Sequence, residues 1–432
     1  MNSRFVLLLI ISLPSTQLAA QSPPASAEPE LSTQSLFEQI KVLEKRITEL
    51  EDHERKEAAG QSCAMLPQPA AVADRSSERP NSGAPPQALH EHEVSPAARE
   101  AEIHYPSLQI RGFGDIDFSA TDQKGTTSGF NLGQFVLHFA SPLSAKVSYF
   151  GEVSFTAEGS AANYVLALER NIIRYDYNDY FKISFGKYHT PISYWNTAFH
   201  HGAWLQTTVS RPQMIKFGGT DLPVHFVGLQ AEGNIPSGGL GLAYSLGLGN
   251  GRSFPFSKAG DAGDVNDNRA WVANVYARPS RVYGLQFGGS FYRDKLTPVP
   301  GTNFDEWIAS GHLVWSKQQP EFLAEYANVH HRDLQTNQTF NTTNYYVQVA
   351  YRLPWQENKW KPYYRFEYIH RPPFEPVWDY VAPTVSDLVG SLVGMRYDIT
   401  TYAAFKGEYR SFREGVGEPR LNGAFFQTAF TF

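Results

Sequence analysis

Imidazole, ammonium and guanidinium groups gather in one stretch of this sequence. Between Lys187 and Pro223 stand His189, His200, His201, Arg211 and Lys216, with a single carboxylate, Asp221. Three chemistries are open to such a set: metal ligation by imidazole, acid–base work by a histidine, and the sorting of ions by fixed charge. His200 and His201 are adjacent, so they project differently, and no carboxylate lies near them in sequence. No metal site and no cofactor is expected from that spacing. A histidine enzyme would also need a partnered nucleophile, and no such motif is present, so no enzymatic activity is expected. Fixed charge remains: Lys187, Arg211 and Lys216 oppose Asp221, and the histidines add positive charge below neutrality. The ordinary role for His200 and His201 is to hydrogen-bond the stretch in place, with Trp195 and Trp204 packed beneath.

Something must hold such a stretch. A connection of roughly three dozen residues inside a compact domain is either functional or disordered. Its aromatic content and low net charge argue against disorder, which predicts a packed loop. On both sides of it the sequence alternates at period two. In Ala145, Val147, Tyr149, Gly151, Val153, Phe155 and Ala157 the odd positions are apolar or small, while Lys146, Ser148, Glu152, Ser154 and Thr156 fill the others. About a dozen such residues suit a tilted membrane-crossing strand. Sixteen segments read this way, near 108–119, 130–140, 145–158, 165–176, 180–187, 224–235, 239–249, 269–278, 282–293, 306–317, 321–330, 344–353, 361–370, 387–399, 402–411 and 422–432.

Connections after even-numbered segments are short, as at Asn178-Asp179 and Pro236-Ser237-Gly238. Several after odd-numbered ones are long: Gly249–Asn268, His331–Thr343 and Arg371–Ser386. An outer-membrane barrel has this asymmetry, with short periplasmic turns and long external loops. The predicted fold is all-β: a 16-stranded antiparallel transmembrane β-barrel over 108–432, its third loop folded into the lumen. The final segment alternates Ala424, Phe426, Thr428, Phe430 and Phe432, ending on an aromatic like those that outer-membrane barrels present to their insertion machinery. Trp307 and Trp315, near opposite ends of one strand, fit two interfacial girdles.

The chain has 432 residues, 42% hydrophobic and 14% aromatic, with a net charge of -6. From Leu108 onward 28 basic residues meet 28 acidic ones, so the excess charge is amino-terminal and nothing suggests nucleic-acid binding. Cys63 is the one cysteine, which excludes an internal disulfide. Arg4 followed by Phe5–Leu13 and Ala19-Ala20 predicts a signal peptide over 1–20, with cleavage after Ala20 or, second, after Ala27. Leu36, Ile40, Leu43, Ile47 and Leu50 make a heptad seam, so 36–57 is expected as a short coiled coil, or a single amphipathic helix. Residues 58–105, rich in Pro, Ala, Ser and Glu, read as an extended linker, within which His90 and His92 are solvated.

At Phe185-Gly186-Lys187-Tyr188-His189-Thr190-Pro191 the sequence resembles the phosphate-selective porin O and P family, whose members commonly carry a strand ending in Gly, aromatic, basic, Thr, Pro at the start of the third loop. The layout resembles that family from Leu108 to Phe432, with His189 where a lysine is frequent. The resemblance implies a trimeric channel for anions lined by lysine and arginine, whereas isoleucine at a and leucine at d of the heptads favours a dimer. The expected function is passive diffusion of small hydrophilic solutes, weakly favouring anions, through an outer-membrane porin with its amino-terminal arm in the periplasm. The competing reading is a structural barrel that tethers the membrane through that arm. Constriction candidates are Lys187, His189, His200, His201, Arg211 and Lys216. Lumen-wall candidates are Arg111, Lys146, Lys182, Arg352, Arg365, Lys406 and Arg410, set against Asp115, Asp117, Glu152, Glu232, Glu325, Glu367 and Glu408.

Overall fold

A computed structural model describes residues 105–432, apart from 159–162, 218–220, 254–255, 257–259 and 382–386. The expected signal peptide and helical arm, and all of the linker but Tyr105, lie outside the described residues, with Cys63, His90 and His92.

Sixteen antiparallel strands close into a cylinder. β1 (Gln109–Thr121) is followed by β2, which runs as Gly129–Asn131 and then Gln134–Pro142. Next come β3 (Val147–Glu158), β4 (Asn163–Asn178), β5 (Phe181–His189), β6 (His225–Ile235), β7 (Leu242–Asn250) and β8 (Ala270–Ala277). The second half is β9 (Leu285–Leu296), β10 (Phe304–Ser316), β11 (Glu321–Asp333), β12 (Thr339–Ala350), β13 (Trp360–His370), β14 (Leu388–Thr400), β15 (Ala403–Glu414) and β16 (Arg420–Thr431). Each strand pairs with its sequence neighbours, and β16 returns to β1 with Phe113 opposite Thr431 and Thr121 opposite Gly423. Gly112 and Phe432 complete the seam by exchanging both backbone hydrogen bonds at 2.9 Å. The break in β2 falls at Gly133, whose φ of +59 suits glycine and whose Cβ, if it had one, would lie 2.0 Å from Asp115 Oδ2.

Alternation sorts the side chains onto two faces. On β15 Phe405 and Tyr409 point outward and are exposed, while Lys406 and Glu408 point inward and are buried. β7 repeats the pattern with Leu246 and Leu248 outside and Ser245 within. A soluble protein does the reverse; an apolar exterior around a polar interior is what a barrel needs in a bilayer. Exposed aromatics mark both rims: Tyr177, Tyr180, Tyr283, Tyr351, Trp355 and Tyr402 at the end of the short turns, Tyr164 and Trp271 at the other. Trp315 sits near the turn end, its indole N–H donating to the Tyr283 carbonyl at 3.1 Å, and Trp307 lies toward the loop end, stacked on His330. Among the described residues no helix is long and apolar enough to cross a membrane.

The connections differ from expectation in two places. Instead of a long loop over His331–Thr343, β11 continues to Asp333 and β12 begins at Thr339. The hairpin is closed by the Asn337 amide on the Asp333 carbonyl, with Asn337 at φ +56. Beyond the apolar belt both strand faces are polar, so hydrophobic periodicity stops although the ladder does not. The turn over 351–359 is longer than the loop over 334–338, so the asymmetry of the two ends rests on the three connections 190–224, 251–269 and 371–387.

Candidate functional site: the loop folded into the barrel

The connection from β5 to β6, here L3, leaves the wall where Gly186 and Gly228 face each other across the ladder. Gly186 adopts φ +140, and a Cβ there would sit 1.9 Å from the Asn171 carbonyl oxygen. Only glycine allows the strand to lean so closely on its neighbour. Three residues later His189 and His225 stand opposite each other as the last ladder pair. The Asn196 side-chain amide then ties the stems together, donating to the Thr190 and Val224 carbonyls at 3.0 and 2.8 Å. Ser193, in extended conformation, caps the short helix α1 (Tyr194–Ala198) by accepting the Asn196 amide.

From there L3 crosses the lumen, and charged wall residues hold its backbone. Glu325 on β11 accepts the Tyr194 and Trp195 amides at 2.7 and 2.9 Å and the Tyr346 hydroxyl at 2.7 Å. Glu408 on β15 accepts the Val209 amide and the Ser210 hydroxyl at 3.0 and 2.7 Å. Glu367 on β13 accepts the Gln213 amide at 2.6 Å. The cations work on carbonyls: Arg396 donates to those of Trp204 and Gln206, and Lys406 to those of Ala203 and Thr208. Charge-assisted bonds of this kind are stronger than neutral ones. Beneath them Trp195, Ile192, Met214, Ile215 and Leu222 pack on Ile308, Leu323 and Val329 of the wall, all buried. The residues thus fill part of the lumen with an apolar core, an arrangement the alternating wall pattern alone does not reveal.

The constriction candidates part company in space. His189, His200 and His201 are buried together, joined by His225. Lys187 is drawn to Asp261 of the β7–β8 loop at 2.9 Å. Lys216 is exposed. The Arg211 guanidinium stacks on the Phe217 ring at 3.7 Å, and its three nitrogens are buried with no hydrogen-bond partner among the described residues. Burial pushes its pKa down to about 9, which leaves it cationic at neutral pH. Asp221 is held by Arg371 at 2.6 Å.

The wall candidates also divide. Arg365 and Lys406 are fully buried anchors of L3. Arg410 pairs with Glu408 at 2.6 Å and lies over the Phe425 ring. Lys182 is half-buried near the turn end, opposite Glu232 in the ladder, and Arg111 is exposed near the same end of β1. Lys146 and Arg352 belong to turns: Lys146 leans on Tyr177 and Arg352 bonds Asp398. Of the carboxylates, Asp115 and Glu152 are buried in the lumen, and Asp117 and Glu232 are partly exposed. A cavity of about 100 Å³ opens between the β3–β6 wall and L3, with Arg170, Arg174, Gln230 and Glu232 facing His189 and Thr197.

The histidine cluster is packed tightly. The His189 and His200 rings stack with centroids 3.6 Å apart, and His200 meets His201 and His225 edge-on at 4.4 and 4.8 Å. Burial, reinforced by His189, His201 and His225, holds the His200 pKa well below its ordinary value, so the ring is neutral. Two carboxylates flank the group: Glu169 Oε2 lies 2.8 Å from His225 Nε2 and 3.4 Å from His201 Nε2, and Glu152 lies 3.6 Å from His189 Nε2. Sequence reasoning missed His225, Glu169 and Gln134, because they come from strands on either side of L3. The available signal was register: pairing the β5 and β6 stems sets His225 opposite His189.

Other loops turn inward as well. Arg252 of the β7–β8 connection donates to Glu306 at 2.6 Å, and His331 bridges Glu306 and Glu375 at 3.0 and 3.1 Å. Trp378 of α2 (Pro376–Val381) donates to Thr342 at 2.9 Å.

The fold is that of a sixteen-stranded porin-type barrel. Over 76% of the chain it superposes on the outer membrane channel DcaP of Acinetobacter baumannii, with a TM-score of 0.54, 13% identity and 97% of that chain covered. An anion-selective porin from Comamonas acidovorans gives a TM-score of 0.52 at 10% identity, covering 76% of this chain and all of the other. Salmonella typhi OmpF in complex with daunomycin gives 0.53 at 11% identity, covering 76% and 98%. No family model matches the sequence, and no curated protein matches it. At these identities the likeness is one of fold.

Proposed function

We propose that the chain is an outer-membrane porin through which small hydrophilic solutes diffuse, with a weak preference for anions. The observation that carries the reading is the unequal pairing of charge on L3. Its one carboxylate, Asp221, is neutralised by Arg371, whereas Arg211 and Lys216 have no carboxylate partner among the described residues. A cation without a partner, set among low-dielectric walls, biases the local potential more than it would on an open surface. The fold neighbours, porins among them, favour the same class, and the motif at Phe185–Pro191 favours a phosphate-like anion. In this reading the turn end faces the periplasm with the amino-terminal arm, Phe432 addresses the insertion machinery, and the barrel assembles as a trimer.

Reversal potentials of the purified protein in a salt gradient test the selectivity. An anion-preferring potential supports the reading, and a cation-preferring one removes it. Swelling of proteoliposomes in sugars and phosphates would rank the solutes.

A further inference from the structure

Four imidazoles from three separate parts of the chain meet where L3 joins the wall. His189 ends β5, His225 opens β6, and His200 and His201 follow α1. All four are buried, and one ring nitrogen from each lies within 4.8 Å of the others. A tetrahedral ion with metal–nitrogen bonds of 2.0–2.1 Å sets its ligands about 3.4 Å apart. The cluster is therefore an inward shift of about 1 Å from ligating geometry, and His200 and His201 sit on a loop.

The far edges of the rings carry the second observation. The His200 Nδ1–H donates to Asn196 Oδ1 at 2.9 Å, and the His201 Nδ1–H to Gln134 Oε1 at 3.1 Å. His225 presents Nε2 to Glu169 at 2.8 Å. For His200 the oxygen acceptor on Nδ1 fixes the tautomer and leaves a lone pair on the other nitrogen, as around metal-bound histidines. On His200 that other atom, Nε2, is buried and has no hydrogen-bond partner among the described residues. A buried imidazole nitrogen without a partner is costly, and an ion would satisfy it.

We propose that His189, His200, His201 and His225 bind one divalent first-row transition-metal ion, of which Zn2+ is the representative, and that this ion fastens L3 to its stem strands. Imidazole sets favour zinc, nickel, cobalt and copper, and not the oxygen-seeking calcium or magnesium. Nearby carboxylates do not decide the choice, because Glu152 is paired with Arg170 and Glu169 lies against His225 and His201. Ligand type decides it. The site stands whether or not the barrel conducts, so its test is separate from that of the porin reading.

The test is calorimetry on the untagged full chain in detergent, stripped with EDTA and titrated with ZnCl2 or CaCl2. The expected result is one Zn2+ per chain and no Ca2+. His200→Ala, checked for barrel content by circular dichroism, weakens Zn2+ by at least about 10-fold. A double His90→Ala, His92→Ala variant binds as the parent does. Should His200→Ala fail to fold, Co2+ absorption of the parent decides: an intense four-coordinate visible spectrum supports the site and a weak octahedral one overturns it. No Zn2+ binding by the stripped parent, equal binding by folded His200→Ala, or loss with the His90/His92 variant each overturns it and leaves a hydrogen-bonded imidazole cluster alone.

Discussion

Arg365 on β13 grips Ser210 of L3 twice, its guanidinium donating to the Ser210 carbonyl at 3.0 Å and to the hydroxyl at 2.9 Å. The same group pairs with Glu367 at 2.8 Å, so wall, loop and carboxylate form one buried unit. L3 is therefore held across the lumen by ions that a channel would otherwise present to solutes. The wall cation that looks most like a selectivity group is a bracket.

Removing that bracket has a defined consequence. Arg365→Ala leaves Glu367 buried without its partner, a loss of about 3–5 kcal/mol for breaking one side of a buried pair. Thermal unfolding in detergent should shift downward, and protease should cut within 190–224 where the parent resists. An unchanged melting temperature with a protected loop would contradict the bracket role.

Selectivity should follow the loop cations and not the wall ones. Arg211→Gln removes an unpartnered charge and also a cation–π contact worth about 0.5–2 kcal/mol, so reversal potentials should move toward cations while the barrel stays folded. Asp221→Asn should move them the other way by removing the one carboxylate of L3. Shifts of the same sign in both variants would show that neither charge faces the permeating ion.

Backbone conformation at the root of L3 gives a third prediction. Gly186→Ala places a methyl where the Asn171 carbonyl already sits, at a φ that L side chains rarely adopt. The expected cost exceeds about 1 kcal/mol, read as a lower yield of heat-modifiable folded barrel on refolding. Refolding at the parent's yield would mean that the strand does not lean on β4 as described.

Phe432 supplies the fourth. Its ring is exposed and stacks on Phe135 at 5.6 Å, while its seam hydrogen bonds to Gly112 use only backbone. Phe432→Ala should therefore cost little in detergent refolding. It should lower the amount assembled in cells several-fold, if the ring is what the insertion machinery reads. Equal loss in both settings would assign the ring to barrel stability instead.

These expectations also show how far the sequence could be read. The sixteen strands were legible because Phe405, Tyr409, Leu246 and Leu248 alternate against Lys406, Glu408 and Ser245, a period set by the pleat and by two different surroundings. L3 was legible as an interruption of that period. Its contacts were not: Glu325 reaches Trp195 across 130 residues of chain, and such pairs leave no local pattern. His200 and His201 looked unpromising as ligands because adjacent residues diverge on a regular element. They follow α1 in an irregular turn, where their rings converge on His189 and His225. The expected loop at His331–Thr343 failed for the opposite reason, since a strand above the apolar belt loses its hydrophobic signature and keeps its hydrogen bonds.

The measurement that bears most directly on the channel account is single-channel recording of the purified, detergent-extracted protein in a planar bilayer. The account predicts discrete, ohmic conductance steps whose size grows when Arg365→Ala loosens L3. Protein that inserts as a heat-modifiable barrel yet stays electrically silent, in parent and variant alike, would contradict it.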